Sequence, residues 1–197
     1  MATKRHQSHE SDVVCRLDDS DSEDLMKHVS GTDTKTSLTG VRPEDVQPNA
    51  IDLRLDKVFK IKGQAFVLDN ENKIHRGSEE ISPDAEGYYN LPPGLYEIVM
   101  ENIITVGDGE AGWVITRSTL VRNGLFIRSG LYDSGFHGHM AAVLEVGVAR
   151  ASIKRGTRIG QYLCFDAETL HLYDGDYGLG KDHDRKYADL EAITTAL

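Results

Sequence analysis

The chain has 197 residues, a hydrophobic share of 39% and a formal net charge of −10 at neutral pH. This length suits one domain with a sizeable core, alone or with a polar tail. The acidic balance argues against a general nucleic-acid binder, which would carry a basic patch. It still allows a phosphorylated substrate, because a few arginines in one cleft create a local positive field.

Targeting and redox signals both favour an intracellular protein. Residues 1–14 include basic side chains with no apolar stretch behind them, so they do not resemble a signal peptide. No apolar run approaches the roughly 20 residues that cross a bilayer. Cys15 and Cys164 are too few for a disulfide framework and lack metal-binding spacing. We therefore predict a cytoplasmic protein that neither enters a membrane nor binds nucleic acid.

The first predicted element is a solvated N-terminal arm over residues 1–42, which are rich in Asp, Ser, Glu, Thr and His. From Pro48 onward, short segments rich in β-branched and aromatic residues alternate with Gly, Pro, Asn and Asp. This spacing predicts an all-β barrel or sandwich over residues 43–175. After Leu179 the chain becomes polar again, so residues 176–197 are predicted to form a C-terminal arm.

One interruption of the strand pattern, residues 116–124, predicts a short helix. Ser118 is its expected N-cap, and Gly124 its expected left-handed stop. Free N–H groups at such a helix start favour an anion. Together with Arg117 and Arg122, they would suit a polyphosphate. Taken alone, a capped surface helix with solvated arginines is the commoner explanation of this pattern.

Residues 129–138 predict a tight hairpin, because their three glycines, Gly130 among them, allow close backbone approach. The main-chain groups of such a hairpin would be free to read the edge of a pyrimidine. Asp133 is placed at its base, where a carboxylate can orient and deprotonate a water molecule. Phe136 would offer a flat apolar surface to a sugar. The alternative is a turn Asp that bonds its own backbone.

Two further patterns lie on the strand after the hairpin. Glu145 sits among apolar neighbours, which suits acid–base work, but alternation makes an outward-facing glutamate equally compatible. His137 and His139 would share one strand face. With no further ligand evident, we interpret them as a solvent-facing pair rather than as half of a metal site.

Four segments, in order, carry a family resemblance. QPNAIDLRL (47–55) resembles the opening strand of dCTP deaminases, and RSTLVRNGL (117–125) resembles their phosphate motif. DSGFHG (133–138) is similar to the hairpin shared by dUTP diphosphatases and archaeal deaminase-like relatives. KRGTRIGQ (154–161) resembles the family motif that ends in Ile-Ala/Gly-Gln. The chain is identified as a member of this superfamily over roughly residues 47–165.

The resemblance implies a distorted β-barrel of the jelly-roll type that forms a homotrimer, with active sites at subunit interfaces. It implies phosphate binding by the helix-start residues and a Phe that excludes a 2′-hydroxyl. It also implies Mg²⁺ held mainly by the triphosphate, with no protein metal ligands, and Asp133 as the carboxylate that activates water. The substrate-binding residues would be Arg117, Ser118, Thr119, Gly130, Phe136, Gln161, Lys186 and Tyr187.

Two reactions remain open within the superfamily. We predict hydrolysis of dUTP to dUMP and pyrophosphate, with Asp133 as base. The alternative is deamination of dCTP by Glu145 and Arg122. Counted from the hairpin without a gap, the deaminase glutamate falls at Val143, so Glu145 would need a local bulge to come into register.

The C-terminal arm fits neither ending closely. Lys186 and Tyr187 resemble the deaminase ending, but Ala188 and Leu190 stand where glutamines are expected. A third alternative is a non-enzymatic structural or regulatory trimer on the same fold. Such a module would have no need of the phosphate motifs together with Asp133.

Overall fold

Residues 34–188 are described by the structure, which is a computed structural model. Over this range the chain forms 14 β-strands, one α-helical turn and two 3₁₀ turns. The predicted all-β class with short helices is therefore confirmed. In the same range, no helix is both long and apolar enough to span a membrane.

The strands follow the segments rich in β-branched and aromatic residues, and Gly, Pro, Asn and Asp occupy the turns between them. In chain order the elements are β1 Ser37–Leu38, a 3₁₀ turn Pro43–Asp45, β2 Val46–Gln47, β3 Ala50–Ile61, β4 Val67–Leu68, β5 Lys73–Ile74, β6 Ser78–Ile81, β7 Tyr88–Leu91, β8 Gly94–Thr105, β9 Glu110–Thr116, α1 Ser118–Val121, β10 Leu125–Arg128, β11 Leu131–Tyr132, β12 His137–Val146, β13 Ala151–Lys154, β14 Arg158–Asp166 and a 3₁₀ turn Asp182–Tyr187.

The main sheet has the strand order β10-β12-β8-β3-β14-β9-β11, and β1, β2 and β6 pair at its sides. Three strands separate β12 from β9 in this order, yet Leu144 and Val114 belong to one buried cluster. The sheet must therefore curl around its core. Leu53, Ile98 and Ile159 lie in the same cluster and are fully buried.

Both predicted arms extend beyond the described residues, which exclude 1–33 and 189–197. At the N-terminal end Thr36 is buried, and β1 pairs with β8. Residues 34–38 thus contact the barrel. At the other end, residues 176–188 fold back on the outer face of the sheet. There the Leu179 N–H donates to the His137 carbonyl at 2.9 Å.

Candidate functional site

A fully buried carboxylate, Asp52 on β3, organises one group of polar side chains, which we call the Asp52 cluster. Its Oδ2 lies 3.2 Å from the Arg117 guanidinium and 3.3 Å from that of Arg158. Its Oδ1 accepts a hydrogen bond from the Gln161 amide at 3.1 Å. The arginine side chains keep 26% and 33% of their surface exposed. The cluster therefore presents fixed cationic and amide donors to solvent.

Helix α1 begins beside this cluster. Ser118 is its first helical residue and Arg117 is the N-cap, with no side-chain capping hydrogen bond. The prediction of Ser118 as the cap is wrong, because the chain turns one residue earlier. Its hydroxyl is therefore not engaged in capping. Thr119 and Arg122 are exposed on this helical turn, and Gly124 provides the predicted left-handed stop with φ of 74°.

The predicted hairpin, residues 129–138, is a tight turn between β11 and β12, but the two strands do not pair with each other, because β11 pairs with β9 whereas β12 pairs with β8 and β10. We keep the name hairpin for this turn. Gly135 has a φ of 83°, and the Phe136 N–H donates to the Asp133 carbonyl at 3.0 Å. Asp133 is exposed, and among residues 34–188 its carboxylate accepts no hydrogen bond. The geometry therefore differs from a turn Asp whose side chain is occupied by its own backbone.

Phe136 is buried between two other rings. Its centroid lies 5.5 Å from that of Tyr132 and 5.3 Å from that of Tyr173, both edge to face. This packing fixes the ring while part of it lines a pocket of about 530 Å³. Gly130 lines the same pocket, and a Cβ built on it would meet nothing within 4 Å.

The pocket has a floor of barrel residues and a roof from two other segments. The floor includes Gly130, Phe136, His139, Ala141 and Val143. The roof includes Phe66, His75 and Arg76, which flank the β4–β5 hairpin, and Tyr177, His183, Lys186 and Tyr187 from the C-terminal segment. Of the predicted substrate residues, the structure therefore brings Gly130, Phe136, Lys186 and Tyr187 together.

Glu97 on β8 and Asp184 are the two carboxylates that line this pocket, and Glu97 attaches the C-terminal segment to the barrel. It accepts a hydrogen bond from Lys186 Nζ at 2.8 Å and a short one from the Tyr187 hydroxyl. Burial raises the pKa of Glu97, but the two hydrogen bonds and the Lys186 charge outweigh burial and hold the pKa below its usual value. Glu97 is therefore ionised at neutral pH and occupied by the roof.

Glu145 lies on the outward face of β12, where it pairs with Arg128 at 2.6 Å. Alternation along β12 is uninterrupted from His137 to Val146. The register of β12 and β8 does shift between His139 and Ala141. Their partners on β8 are Ile103 and Val99, so four steps along β8 correspond to two along β12, and the extra residues lie in β8. The bulge that would carry Glu145 back to the position of Val143 is thus not in β12. Val143 itself faces the pocket.

Within a single chain, Asp133 lies far from Gln161 of the Asp52 cluster, so these two parts of the predicted site do not meet. Gln161 pairs with Ile115 across β14 and β9, and Leu131 pairs with Trp113 across β11 and β9. Asp133 follows Leu131 on the same outward face. Asp133 lies two strands away from Gln161 and four residues further along the strand direction. These two offsets correspond to a separation of about 16 Å. An apolar strip lies between and beside Asp133 and Gln161. Its members are each more than a third exposed: Trp113, Ile115, Leu131 and Phe165.

The sequence did not identify Asp52, Arg158 or Glu97 as site residues. The signal for Asp52 was its position between two apolar residues, Ile51 and Leu53, where a buried acid needs partners. No sequence pattern pointed to Glu97. His137 and His139 share one face of β12, but the prediction that both face solvent is wrong for His139, which lines the pocket with its ring centroid 6.2 Å from that of Tyr187. Among residues 34–188 no three His, Cys, Asp or Glu side chains form a metal-binding group.

Comparison with known proteins adds independent findings. Residues 17–167 match the family model described as dCTP deaminase-like. A probable deoxyuridine 5′-triphosphate nucleotidohydrolase of Methanopyrus kandleri is 32% identical over 138 residues, covering 68% of this chain and 88% of that protein. The protein of the same name from Methanothermobacter thermautotrophicus is 34% identical over 136 residues, with the same coverage. The crystal structure of a 2′-deoxycytidine 5′-triphosphate deaminase from Agrobacterium tumefaciens shares the fold, with a TM-score of 0.52 at 15% identity, over 66% of this chain and 43% of that one.

Proposed function

The chain belongs to the dCTP deaminase-like family, and from this premise we propose that it hydrolyses dUTP to dUMP and pyrophosphate. The archaeal relatives named above are dUTP nucleotidohydrolases by name. The observation that carries the proposal is the exposed carboxylate of Asp133, which has no hydrogen-bond partner among the described residues, at the base of the hairpin that supplies Phe136. An unoccupied carboxylate in that position is available to activate water.

The Asp52 cluster is assigned to the triphosphate. Arg117 and Gln161 are already held by Asp52, so little side-chain ordering is needed when phosphate oxygens bind. The Ser118 hydroxyl, which does not cap the helix, and the Thr119 hydroxyl add hydrogen-bond donors at the start of α1. The fixed ring of Phe136 would pack against the deoxyribose, where the family resemblance has it exclude a 2′-hydroxyl.

Mg²⁺ fits this site as a companion of the triphosphate. The Asp52 oxygens are engaged by Arg117, Arg158 and Gln161, and the described residues contain no cluster of ligands that would form a protein cage. Phosphate oxygens and water are the ligands that Mg²⁺ ordinarily keeps in such sites. When bound, the ion would neutralise charge on the phosphates, while Asp133 holds and deprotonates the attacking water.

The apolar strip supports assembly into a homotrimer. Trp113 and Leu131 are 51% and 55% exposed, although they lie side by side on paired strands. Contiguous exposed apolar surface of this kind marks a protein contact. A second copy covering the strip would bring its own hairpin towards the Asp52 cluster. Each active site would then combine Asp133 of one subunit with Arg117 of another.

Deamination of dCTP is less well supported by the geometry. The family-model name and the fold shared with a dCTP deaminase keep it as the second candidate. Val143 nevertheless lines the pocket, whereas Glu145, two residues further along the same face of β12, does not line it and is paired with Arg128. Hydrolysis needs neither Glu145 nor Arg122 as an acid–base pair.

The deciding assay incubates the protein with dUTP or dCTP and Mg²⁺ and separates the products by ion-exchange chromatography. We expect dUMP and pyrophosphate from dUTP and no change in dCTP. Conversion of dCTP to dUTP would establish the deaminase instead. Turnover of neither nucleotide would favour a non-enzymatic trimer.

Two inactive variants test the assigned roles and the shared site together. We expect Asp133→Asn to abolish turnover while retaining dUTP binding, and Arg117→Ala to lose both. Co-refolding the two variants should restore about one quarter of the wild-type activity, because a quarter of randomly assembled interfaces would carry both intact residues. Near-full activity of Asp133→Asn alone would remove its role as base. No recovery on mixing would contradict a site shared between subunits.

A further inference from the structure

The roof of the pocket consists of two segments that are far apart in sequence and that contact each other. The first is the β4–β5 hairpin with its flanks, residues 62–77, and the second is the C-terminal segment, residues 173–188. Lys73 Nζ lies 2.5 Å from Asp176 Oδ2 and also sits over the Tyr177 ring at 5.3 Å. The two segments therefore close over the floor as one unit.

His75 lies at the centre of the contact between the two segments. Its ring centroid is 4.7 Å from that of His183 and 6.1 Å from that of Tyr177. Tyr177 and His183 also contact each other at 5.0 Å. The three rings form one aromatic cluster, and His75 is the member contributed by the hairpin.

His183 connects this cluster to the residues over the pocket. It lies in the 3₁₀ turn Asp182–Tyr187, which also carries Lys186 and Tyr187. Its Nδ1 is 3.1 Å from Asp184 Oδ1, and Asp184 Oδ2 accepts the Gly178 N–H at 2.6 Å. A displacement of His183 would therefore move the whole turn.

We propose that His75 is a positioning residue, which docks the β4–β5 hairpin on His183 and so holds Lys186 and Tyr187 over the nucleotide pocket in a proton-sensitive way. This inference rests on the proposed function for its kinetic consequences, since Lys186 and Tyr187 are among the substrate-binding residues that the family resemblance implies. The docking itself is independent of the reaction. The four family motifs do not include the β4–β5 hairpin.

The charges that face His75 determine the direction of the pH effect. Partial burial lowers its pKa below the ordinary value; the cations facing it act in the same direction, and one carboxylate opposes them. The cations are Lys73 and Lys186, the carboxylate is that of Asp176, and the His183 imidazole opposes protonation of His75 when it carries a proton itself. Asp184 pairs with His183 on the far side. The closed roof therefore prefers a neutral imidazole.

The pKa of His75 is ordinary in the open roof and lower in the closed roof, so closing releases a proton from a protonated histidine. Closure is fully favourable above the unperturbed value, about 6.5, and weakens as pH falls below it. Two protonated imidazoles at this separation would also repel each other. We expect the roof to open progressively as the solution becomes mildly acidic.

The kinetic experiment compares His75→Ala and His75→Phe with the wild type, and uses Asn70→Ala at the exposed hairpin tip as the matched control. At about pH 7.5, His75→Ala should raise KM for dUTP roughly 5-fold and leave kcat within about 2-fold, since binding groups are displaced and chemistry is not. His75→Phe keeps a ring at the contact and should retain the wild-type KM. Asn70→Ala should behave as the wild type.

The pH profile separates positioning from a merely structural role. Between about pH 7.5 and pH 5.8, KM of the wild type should rise several-fold more than that of His75→Phe, which cannot take up the proton. Ionisation of the nucleotide affects both proteins equally and cancels in the comparison. An equal rise in both would overturn the proton sensitivity. An unchanged KM of His75→Ala would overturn the positioning role.

A readout without substrate distinguishes failure of this inference from failure of the proposed function. Amide hydrogen exchange at residues 177–187 should be faster in His75→Ala than in the wild type, and should match the wild type in His75→Phe at about pH 7.5. This holds even if the protein does not hydrolyse dUTP. Equal exchange in all three proteins would contradict the docking.

Discussion

At each end of the described chain a carboxylate of the barrel binds several donors of the terminal segment, but the donors differ between the two ends. Glu110 on β9 holds residues 34–36, and Glu97 on β8 holds Lys186 and Tyr187. The pKa of both carboxyls is held below its usual value, because hydrogen bonds outweigh the burial that would raise it. The donors make one attachment fixed and the other releasable.

At the N-terminal attachment the donors are neutral, and they include two backbone N–H groups and two hydroxyls. Glu110 accepts the N–H groups of Lys35 at 2.7 Å and Thr36 at 2.9 Å, and the hydroxyls of Thr34 at 2.8 Å and Thr36 at 2.6 Å. The residue is only 5% exposed. Breaking this attachment would leave buried acceptors and donors unpaired, which is costly.

At the C-terminal attachment the donors are the ends of two side chains. Lys186 keeps 30% of its side chain exposed, so water can replace Glu97 as its partner. A partly exposed ion pair contributes little net stability and weakens with salt. The fold therefore depends on the first attachment, whereas the shape of the pocket depends on the second.

The largest effect that would test this comparison is expected for Glu110→Ala. It removes four hydrogen bonds at a buried position, so the free energy of unfolding should fall by about 3 kcal/mol. Urea denaturation measures it. Glu101→Ala is the matched control, because Glu101 also contacts the N-terminal region, through a surface pair with Arg42 at 2.9 Å. That variant should lose less than about 1 kcal/mol. Equal losses would contradict the distinction.

A smaller effect, on binding rather than folding, is expected for Lys186→Met. Loss of the ammonium group leaves the Tyr187 hydroxyl as the remaining donor from the 3₁₀ turn to Glu97, and removes a proposed substrate-binding group. KM for dUTP should rise about tenfold, equivalent to about 1.4 kcal/mol. The free energy of unfolding should change by less than about 1 kcal/mol.

The control for this variant is Lys181→Met, an exposed lysine in the same segment. It should leave both quantities near the wild-type values. If Lys186→Met lowered the free energy of unfolding as much as Glu110→Ala does, the C-terminal attachment would be part of the fold and not a releasable roof.

The smallest effect expected is that of salt. Raising NaCl from about 0.05 M to about 0.5 M shortens the screening length severalfold, so amide exchange at residues 177–187 should rise about twofold. Residues 34–38 should show no change, since their donors are uncharged. Comparable acceleration at both ends would show that the two attachments are alike.

The sequence was sufficient for the strands and for the short helix. Segments such as β3 and β9 are rich in β-branched residues and are bounded by turn formers, so their local pattern is enough to identify them. Gly124 was predictable for the same reason, because a left-handed stop is a local requirement. The position of the cap at Arg117 instead of Ser118 was not, since it depends on where β9 ends.

The parts of the site that the sequence missed depend on contacts between distant residues. Asp52 meets Arg158 and Gln161 more than a hundred positions away, and His75 meets His183 at a similar separation. The outward face of Glu145 likewise follows from pairing with β8 and β10, which alternation alone does not specify. Charge and spacing identify candidate residues, but the curl of the sheet decides which of them meet.

The apolar strip also gives the molecule an internal optical probe. Trp113 is the one tryptophan of the whole chain, and it lies at the centre of the strip. In a separate subunit its indole is half in water, whereas a neighbouring copy would surround it. The wavelength of its fluorescence emission maximum therefore reports the degree of association without an added label. Dilution would shift this wavelength together with the specific activity, because mass action governs both.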